Sequence, residues 1–366
     1  MYTKAIFVGF LTCLSLFFLS CSNSNDDSNE GSEIVNIDKD CTQIVNIPDA
    51  NFKAKLLSSS KTNAITYTIY GEAFKIDENN DGEIQFCEAE KVGWLLIPKS
   101  DINSLEGIQA FSNLILLRCE ENKLKSLDLT HSLKLATIHC NNNELTILDV
   151  SGLNELKTLY FNNNKISSLN IRNSNNIVDF RGYYNSLTVL SVSGLKKLQY
   201  LYIGHNFLTN LNVENLENLE NIGCTSNNLI EINATNCIKL FGLECSQNSI
   251  TSLKLKNCKK LSNLNCWSNK LSTLDTSDLI ELFNLDLSNN KMISLDLRNS
   301  KKIEYLEISS NNLESLIVKN ESSFRSYFIA YNPNLKYICC DDIEKSDFIS
   351  KTTFYGYNCN VVSDCF

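Results

Sequence analysis

A solenoid of stacked coils with a parallel β-sheet face is the fold class that this 366-residue sequence predicts, on three observations. Nearly the same 21 letters recur ten times in succession between Leu114 and Ser323, and a fixed period of that size marks a chain built by stacking like units. Asparagine holds the ninth place of every unit: Asn122, Asn143, Asn164, Asn185, Asn206, Asn227, Asn248, Asn269, Asn290, Asn311 and, in a broken last copy, Asn332. Positions 1, 4, 6, 11, 14 and 16 are apolar, as in Leu198, Leu201, Ile203, Leu208, Leu211 and Val213.

Each observation has a physical reading. An amide can donate and accept at once, so stacked asparagines can satisfy backbone groups caught between neighbouring coils. Burying the six apolar side chains of one coil yields roughly 1.5–3 kcal/mol each. Ordering its backbone costs roughly 1–2 kcal/mol per residue, so a lone coil cannot fold and stacked coils can.

The unit L-x-x-L-x-C-x-x-N-x-L-x-x-L-D-L resembles the bacterial leucine-rich repeats, and its self-imitating second half resembles the nested 21-residue subtype called IRREKO. The resemblance implies a right-handed leucine-rich-repeat array, with a parallel sheet on the first-half face and short strands or 3₁₀ turns on the return face. Taken together with the leader and the missing catalytic motifs described below, the repeats point to a surface-exposed bacterial lipoprotein that binds and does not catalyse.

In chain order, Met1 to Ser20 reads as a secretory signal, with an apolar run from Ala5 to Leu19 that is short for a membrane span. Phe18-Leu19-Ser20-Cys21 resembles a lipobox, which implies cleavage before Cys21 and a lipid on its thiol. Residues 21–40 read as the lipidated cysteine and a disordered acidic tether. The run NDDSNE within it resembles the export signals that send lipoproteins to the outer face of the outer membrane. The net charge is −9, and loss of residues 1–20 removes one lysine and no acid, which argues against nucleic acid or anionic lipid as partners.

Residues 41–91 read as an N-terminal cap. Pro48-Asp49 followed by Phe52, Leu56 and Leu57 predicts a capped helix of two to three turns. Asp77 to Glu88, DENNDGEIQFCE, resembles an EF-hand loop, which implies Ca²⁺ held by Asp77, Asn79, Asp81, the carbonyl of Glu83 and Glu88. The leucine-rich repeats are placed at 92–338. Their first coil, from Val92 to Phe111, resembles an internalin-type variant, with Leu95, Ile97, Ile102, Leu105, Ile108 and Phe111 inward. Residues 339–366 read as a C-terminal cap.

Outside the leader and Cys21, thirteen cysteines remain. Cys119, Cys140, Cys224, Cys245 and Cys266 at position 6, with Cys237 and Cys258 at position 19, stand where other units carry apolar residues and read as small buried hydrophobes. Cys41, Cys87, Cys339, Cys340, Cys359 and Cys365 make an even set in an exported chain and are disulfide candidates. Cys41 would join Cys87, and the last four allow three pairings.

Only three histidines occur, His131, His139 and His205, and none stands at ligand spacing from a cysteine or carboxylate. No H-E-x-x-H, G-x-S-x-G or P-loop string is present, so catalysis is not expected. The outward positions 3, 5 and 7 of the first half carry the remaining signal. His139, Tyr160, Arg181, Tyr183, Tyr200 and Tyr202 form a candidate patch for a protein or glycan ligand of a monomeric rod. Tyrosine also stabilises sheets through cross-strand contacts, which a passive envelope-coat protein would need equally. Gly182, at an inward position beside Phe161 and Phe180, either marks the site or makes room for a bulky neighbour.

Overall fold

The computed structural model describes residues 41–365. The signal segment, Cys21 and the acidic tether lie outside the described residues. One 14-stranded sheet runs along the described chain, and its last twelve strands, from Trp94–Leu96 to Ser326–Phe328, are parallel and in register. Each is three residues long with its middle side chain turned inward, as the position-4 leucines require. The return face carries shorter parallel sheets of two, three and four strands. Inward positions close on one continuous core, and Leu198, Leu201, Ile203 and Leu208 are fully buried within it.

The asparagine column does what its amide allows. Asn206 Nδ2 donates to the position-6 carbonyl of the preceding coil, Gly182 O at 2.9 Å, and to that of its own coil, Ile203 O at 3.1 Å. Its Oδ1 accepts from Leu187 N at 3.0 Å. The same three bonds recur at Asn143, Asn227, Asn269 and Asn332. The residue before each ladder asparagine, from Glu121 to Tyr331, turns the chain in the left-handed region with φ between 54° and 58°.

A second, partial ladder serves the return side. The thiols of Cys237 and Cys258 donate to Val213 O and Ala234 O, 24 residues back, at 3.2 and 3.1 Å. Ser174 Oγ makes the same bond to Val150 O. At position 19 Cys237 and Cys258 are therefore buried donors, where the sequence suggested only small hydrophobes. At position 6 the thiols of Cys245 and Cys266 touch at 3.2 Å, and burial pushes Cys119 and Cys224 well above the ordinary thiol range.

The N-terminal cap closes the first coil. Helix α1 (Ala50–Leu57) is capped by Asp49, whose Oδ1 accepts from Asn51 N and Phe52 N. Its Oδ2 accepts from Asn103 N and Ser104 N of the first coil. Burial opposes ionisation of this carboxyl, yet the backbone donors hold it below the usual range. The cap is mixed where the sequence suggested a helical one: Thr66–Tyr67 and Ala73–Phe74 pair antiparallel and extend the large sheet past Trp94–Leu96. Cys41 and Cys87 are joined, with Cα atoms 5.5 Å apart.

At the other end helix α3 (Asp342–Phe354) lays Phe348 against Tyr327, ring centroids 4.4 Å apart, and Asn360–Val362 adds a strand beside Tyr337–Cys339. Cys339 is bridged to Cys365, whereas Cys340 is a buried thiol and Cys359 a half-buried one. A second terminal bridge is ruled out by register. Asn360 pairs with Tyr337 and Val362 with Cys339, which places Cys359 and Cys340 at opposite ends of the strand pair.

Replacing Asn227 with alanine removes its bonds to Ile203 O, Cys224 O and Leu208 N. Stability in a denaturant titration should fall by about 1–3 kcal/mol, while the exposed Asn154, substituted in the same way, should change it by less than about 0.5 kcal/mol.

Candidate functional site

The patch lies on the sheet face, where parallel register sets neighbouring outward residues side by side: His139 beside Tyr160, Tyr160 beside Arg181, Arg181 beside Tyr202. These four form one stack. The His139 and Tyr160 rings are 4.5 Å apart and 6° from parallel. The Arg181 guanidinium lies between two rings, 4.7 Å from the Tyr160 centroid and 5.3 Å from that of Tyr202. Tyr183 continues the row, its ring centroid 5.8 Å from that of Tyr202. Tyr200 stands apart at position 3, with its hydroxyl 3.2 Å from Glu220 Oε2.

Asp179, not among the site residues expected from sequence, anchors the stack. It grips Arg181 Nε and Nη2 at 2.8 Å each and accepts from the Tyr160 hydroxyl. Burial and this bond push the Tyr160 phenol up, while the carboxylate outweighs burial to lift Arg181. Burial also lowers His139, which favours its neutral ring. The guanidinium is thus charge-balanced from within the chain, and what the stack offers outward is flat aromatic surface. A separate pair, Tyr184 and His205, stacks at 4.1 Å on the adjoining turn.

Three outward glycines shape the ground beside the stack. A Cβ on Gly204 would sit 2.8 Å from Tyr183 Cε1, and one on Gly223 would sit 2.7 Å from the Tyr183 hydroxyl and 2.8 Å from Tyr202 Cδ1. Tyr183 and Tyr202 thus lie down across the next coils because those coils lack side chains. Beyond them is a recess of about 160 Å³ lined by Tyr202, Asn221, Phe241, Gly242, Glu244 and Asn263. A glycine at an outward position in an otherwise polar column was the sequence signal for this shape.

Gly182 is a packing residue. A Cβ there would fall 2.2 Å from Phe161 Cζ, so the glycine makes room for Phe161, which meets Phe180 edge to face at 5.2 Å. The coils that carry this pair also part on the return side, leaving a depression of about 600 Å³ lined by Leu169, Ile171, Val189 and Leu190. Its position on the opposite face separates it from the aromatic stack.

The loop from Asp77 to Glu88 is closed by its own hydrogen bonds. Asp77 Oδ1 and Asn79 Oδ1 both accept from Asp81 N, at 3.2 and 3.0 Å, and Gly82 supplies the turn with φ 79°. Asp81 Oδ1 accepts from Glu83 N, the first cause of its lowered pKa. Lys53 Nζ meets Glu83 Oε2 and Lys75 Nζ lies 3.6 Å from Asp77. Glu88 is buried with both oxygens on backbone N–H groups of Glu78 and Gln85. No helix enters the loop, and the exit is the single turn α2 (Phe86–Ala89). Among the described residues no three His, Cys, Asp or Glu side chains are gathered around a common metal position.

No family model and no curated protein matches this sequence. Solved structures do. The functional domain of InlJ from Listeria monocytogenes, which includes a cysteine ladder, has a TM-score of 0.54 and 23% identity over 87% of this chain and 67% of that one. A leucine-rich-repeat protein of Leptospira interrogans has a TM-score of 0.54 at 20% identity, over 75% of this chain and 91% of that one. The fold is that of a leucine-rich-repeat solenoid. YopM, a leucine-rich effector protein of Yersinia pestis, is similar as well, with a TM-score of 0.52 and 22% identity over 68% of this chain and 72% of that one. At such identities the likeness is one of fold. Within this leucine-rich-repeat chain, Cys224, Cys245 and Cys266 share one inward column on three neighbouring coils, and the patch lies on the parallel sheet.

Replacing Gly182 with alanine should cost about 1–3 kcal/mol through its clash with Phe161. Adding Phe161→Leu should recover part of that loss. A double-mutant cycle reads the coupling, and purely additive effects would remove the role given to Phe161.

Proposed function

We propose that this leucine-rich-repeat chain is a non-catalytic binding module, whose sheet face recognises a protein or glycan ligand. The observation that carries it is the unbroken stack His139, Tyr160, Arg181, Tyr202 with Tyr183 beside it, half-buried on the face rather than in the core. Flat aromatic surface held rigid by a carboxylate and by missing neighbouring side chains loses little freedom on binding, which favours recognition. The coat-protein reading needs only the ladder and the core, and leaves Gly204 and Gly223 without a reason. Placement by a lipid on Cys21, at the outer surface of the outer membrane, belongs to the same proposal; protease shaving of intact cells should release the repeats, and full protection would contradict it.

The cap loop is proposed as a Ca²⁺ site of structural role. The residues fit a hard cation. Asp77 and Asn79 already converge on one N–H, Glu88 is a buried carboxylate, and buried Gln85 has its Oε1 without a partner while its Nε2 holds Asp81. Bound calcium would supply positive charge to these oxygens. The chain's part is to hold the loop between α1 and the first coil through the Cys41–Cys87 bridge and the pairing of Ile44 with Gln85.

Two measurements test these readings. An array of proteins and glycans probed with the wild type and with the Tyr160, Arg181, Tyr183, Tyr202 fourfold alanine variant should lose its specific signals in the variant; equal signal would remove the patch. Calcium should raise the melting temperature of the wild type above its value in EGTA and leave Asp81→Asn unmoved. A wild-type curve indifferent to EGTA would sink the metal site.

A further inference from the structure

We infer that the recess beside Tyr202 is a socket for a cationic side chain, lysine or arginine, presented by a partner protein. The inference rests on the sheet face being the binding surface and adds which chemistry it selects. At about 160 Å³ the recess falls below the roughly 300–1,000 Å³ of a small-molecule pocket, and its scale is that of a single side chain. Its floor is Gly242, Tyr202 forms the near wall, Asn221 reaches over the floor with its Oδ1, and Asn263 lines the recess from the next strand. Glu244 stands at the far side, exposed, and among the described residues its carboxylate has no hydrogen-bond or ion-pair partner.

Charge points the same way. Along the position-5 column the carboxylates Glu244, Asp286 and Glu307 follow Tyr202, and no lysine or arginine occupies an outward position of the sheet from Tyr200 to Ala330. Asp286 and Glu307 are direct neighbours in register, a like-charge pairing that weakens a sheet and that a basic partner would relieve. The surface also holds a cation of its own in this manner: Arg181 lies against the Tyr202 and Tyr160 rings with Asp179 as counter-ion. In the recess, Tyr202 and Glu244 repeat that ring and carboxylate, and the cation is the part the chain leaves to another molecule.

The test uses the mature chain and two labelled probes, a hexa-arginine peptide and its neutral hexa-citrulline counterpart, followed by fluorescence anisotropy. Hexa-arginine should bind about tenfold or more tightly than hexa-citrulline. Glu244→Gln should weaken hexa-arginine by about tenfold, and Glu307→Gln, which removes the same charge elsewhere on the column, by less than about twofold. Gly242→Val fills the floor and should match Glu244→Gln. It is accommodated, since a Cβ there meets only the movable end of Asn221, and an unchanged denaturation curve checks this. Equal loss from Glu244→Gln and Glu307→Gln means diffuse attraction and overturns the socket, as does equal binding of the two peptides. Signals on the protein and glycan array that vanish with Arg181→Ala but survive Glu244→Gln would leave the sheet-face reading standing and remove the socket alone.

Discussion

The amide of the ninth residue is the interaction on which this molecule depends. Each ladder asparagine ties a carbonyl of its own coil to one of the coil before, 24 residues back from Asn143 onward and 25 at Asn122, and accepts an N–H from that coil, so its bonds exist only when coils are stacked. Leucines supply the driving force, but they would fill many arrangements. The asparagines admit one register, because a slip of a single residue would leave buried backbone groups unpaired along the whole column. The left-handed turn before each asparagine aims the amide inward, and side chains as bulky as Tyr184, His205 and Tyr331 accept that conformation to preserve it.

With the interior so constrained, variation is confined to outward positions, and there the chain is uneven. From His139 to Tyr202 the fifth position carries rings and one guanidinium that stack on one another. From Gly223 to Glu307 it turns polar and acidic, before Phe328 in the last coil. Asp179 neutralises Arg181 from within, so the stack presents aromatic surface more than charge, while Glu244 beyond it has no such internal partner. Core demands account for neither the glycines under Tyr183 and Tyr202 nor the direction of this gradient. The caps add rigidity at the ends: Asp49 serves helix and first coil together, and Phe348 covers the last coil through Tyr327.

Much of the rod was legible in the letters because it repeats. The asparagine column, the six apolar columns and the Asp49 helix cap depend on local chemistry or on period, and all are found where the sequence placed them. Other features depend on partners distant in the chain. The two-residue strands Thr66–Tyr67 and Ala73–Phe74 are strands only through pairing with one another and with Trp94–Leu95. The left-handed column is filled by Glu, Asn, Ser, Gln, Tyr and His with no glycine to announce it. In the site, rings and guanidinium were readable as outward residues, whereas Asp179 as anchor and Glu244 as socket wall required side-chain direction. Gly182, which the sequence left open between marking the site and making room for a neighbour, makes room for Phe161.

Photo-crosslinking on intact cells tests the central claim most directly, with a benzophenone amino acid placed at Asn265 on the sheet face or at Asp296 on the return face. Recognition through the sheet face predicts a discrete crosslinked species from position 265 that disappears in the Tyr160, Arg181, Tyr183, Tyr202 alanine variant, and none from position 296. Crosslinks of equal yield from both faces, or from the return face alone, would contradict it.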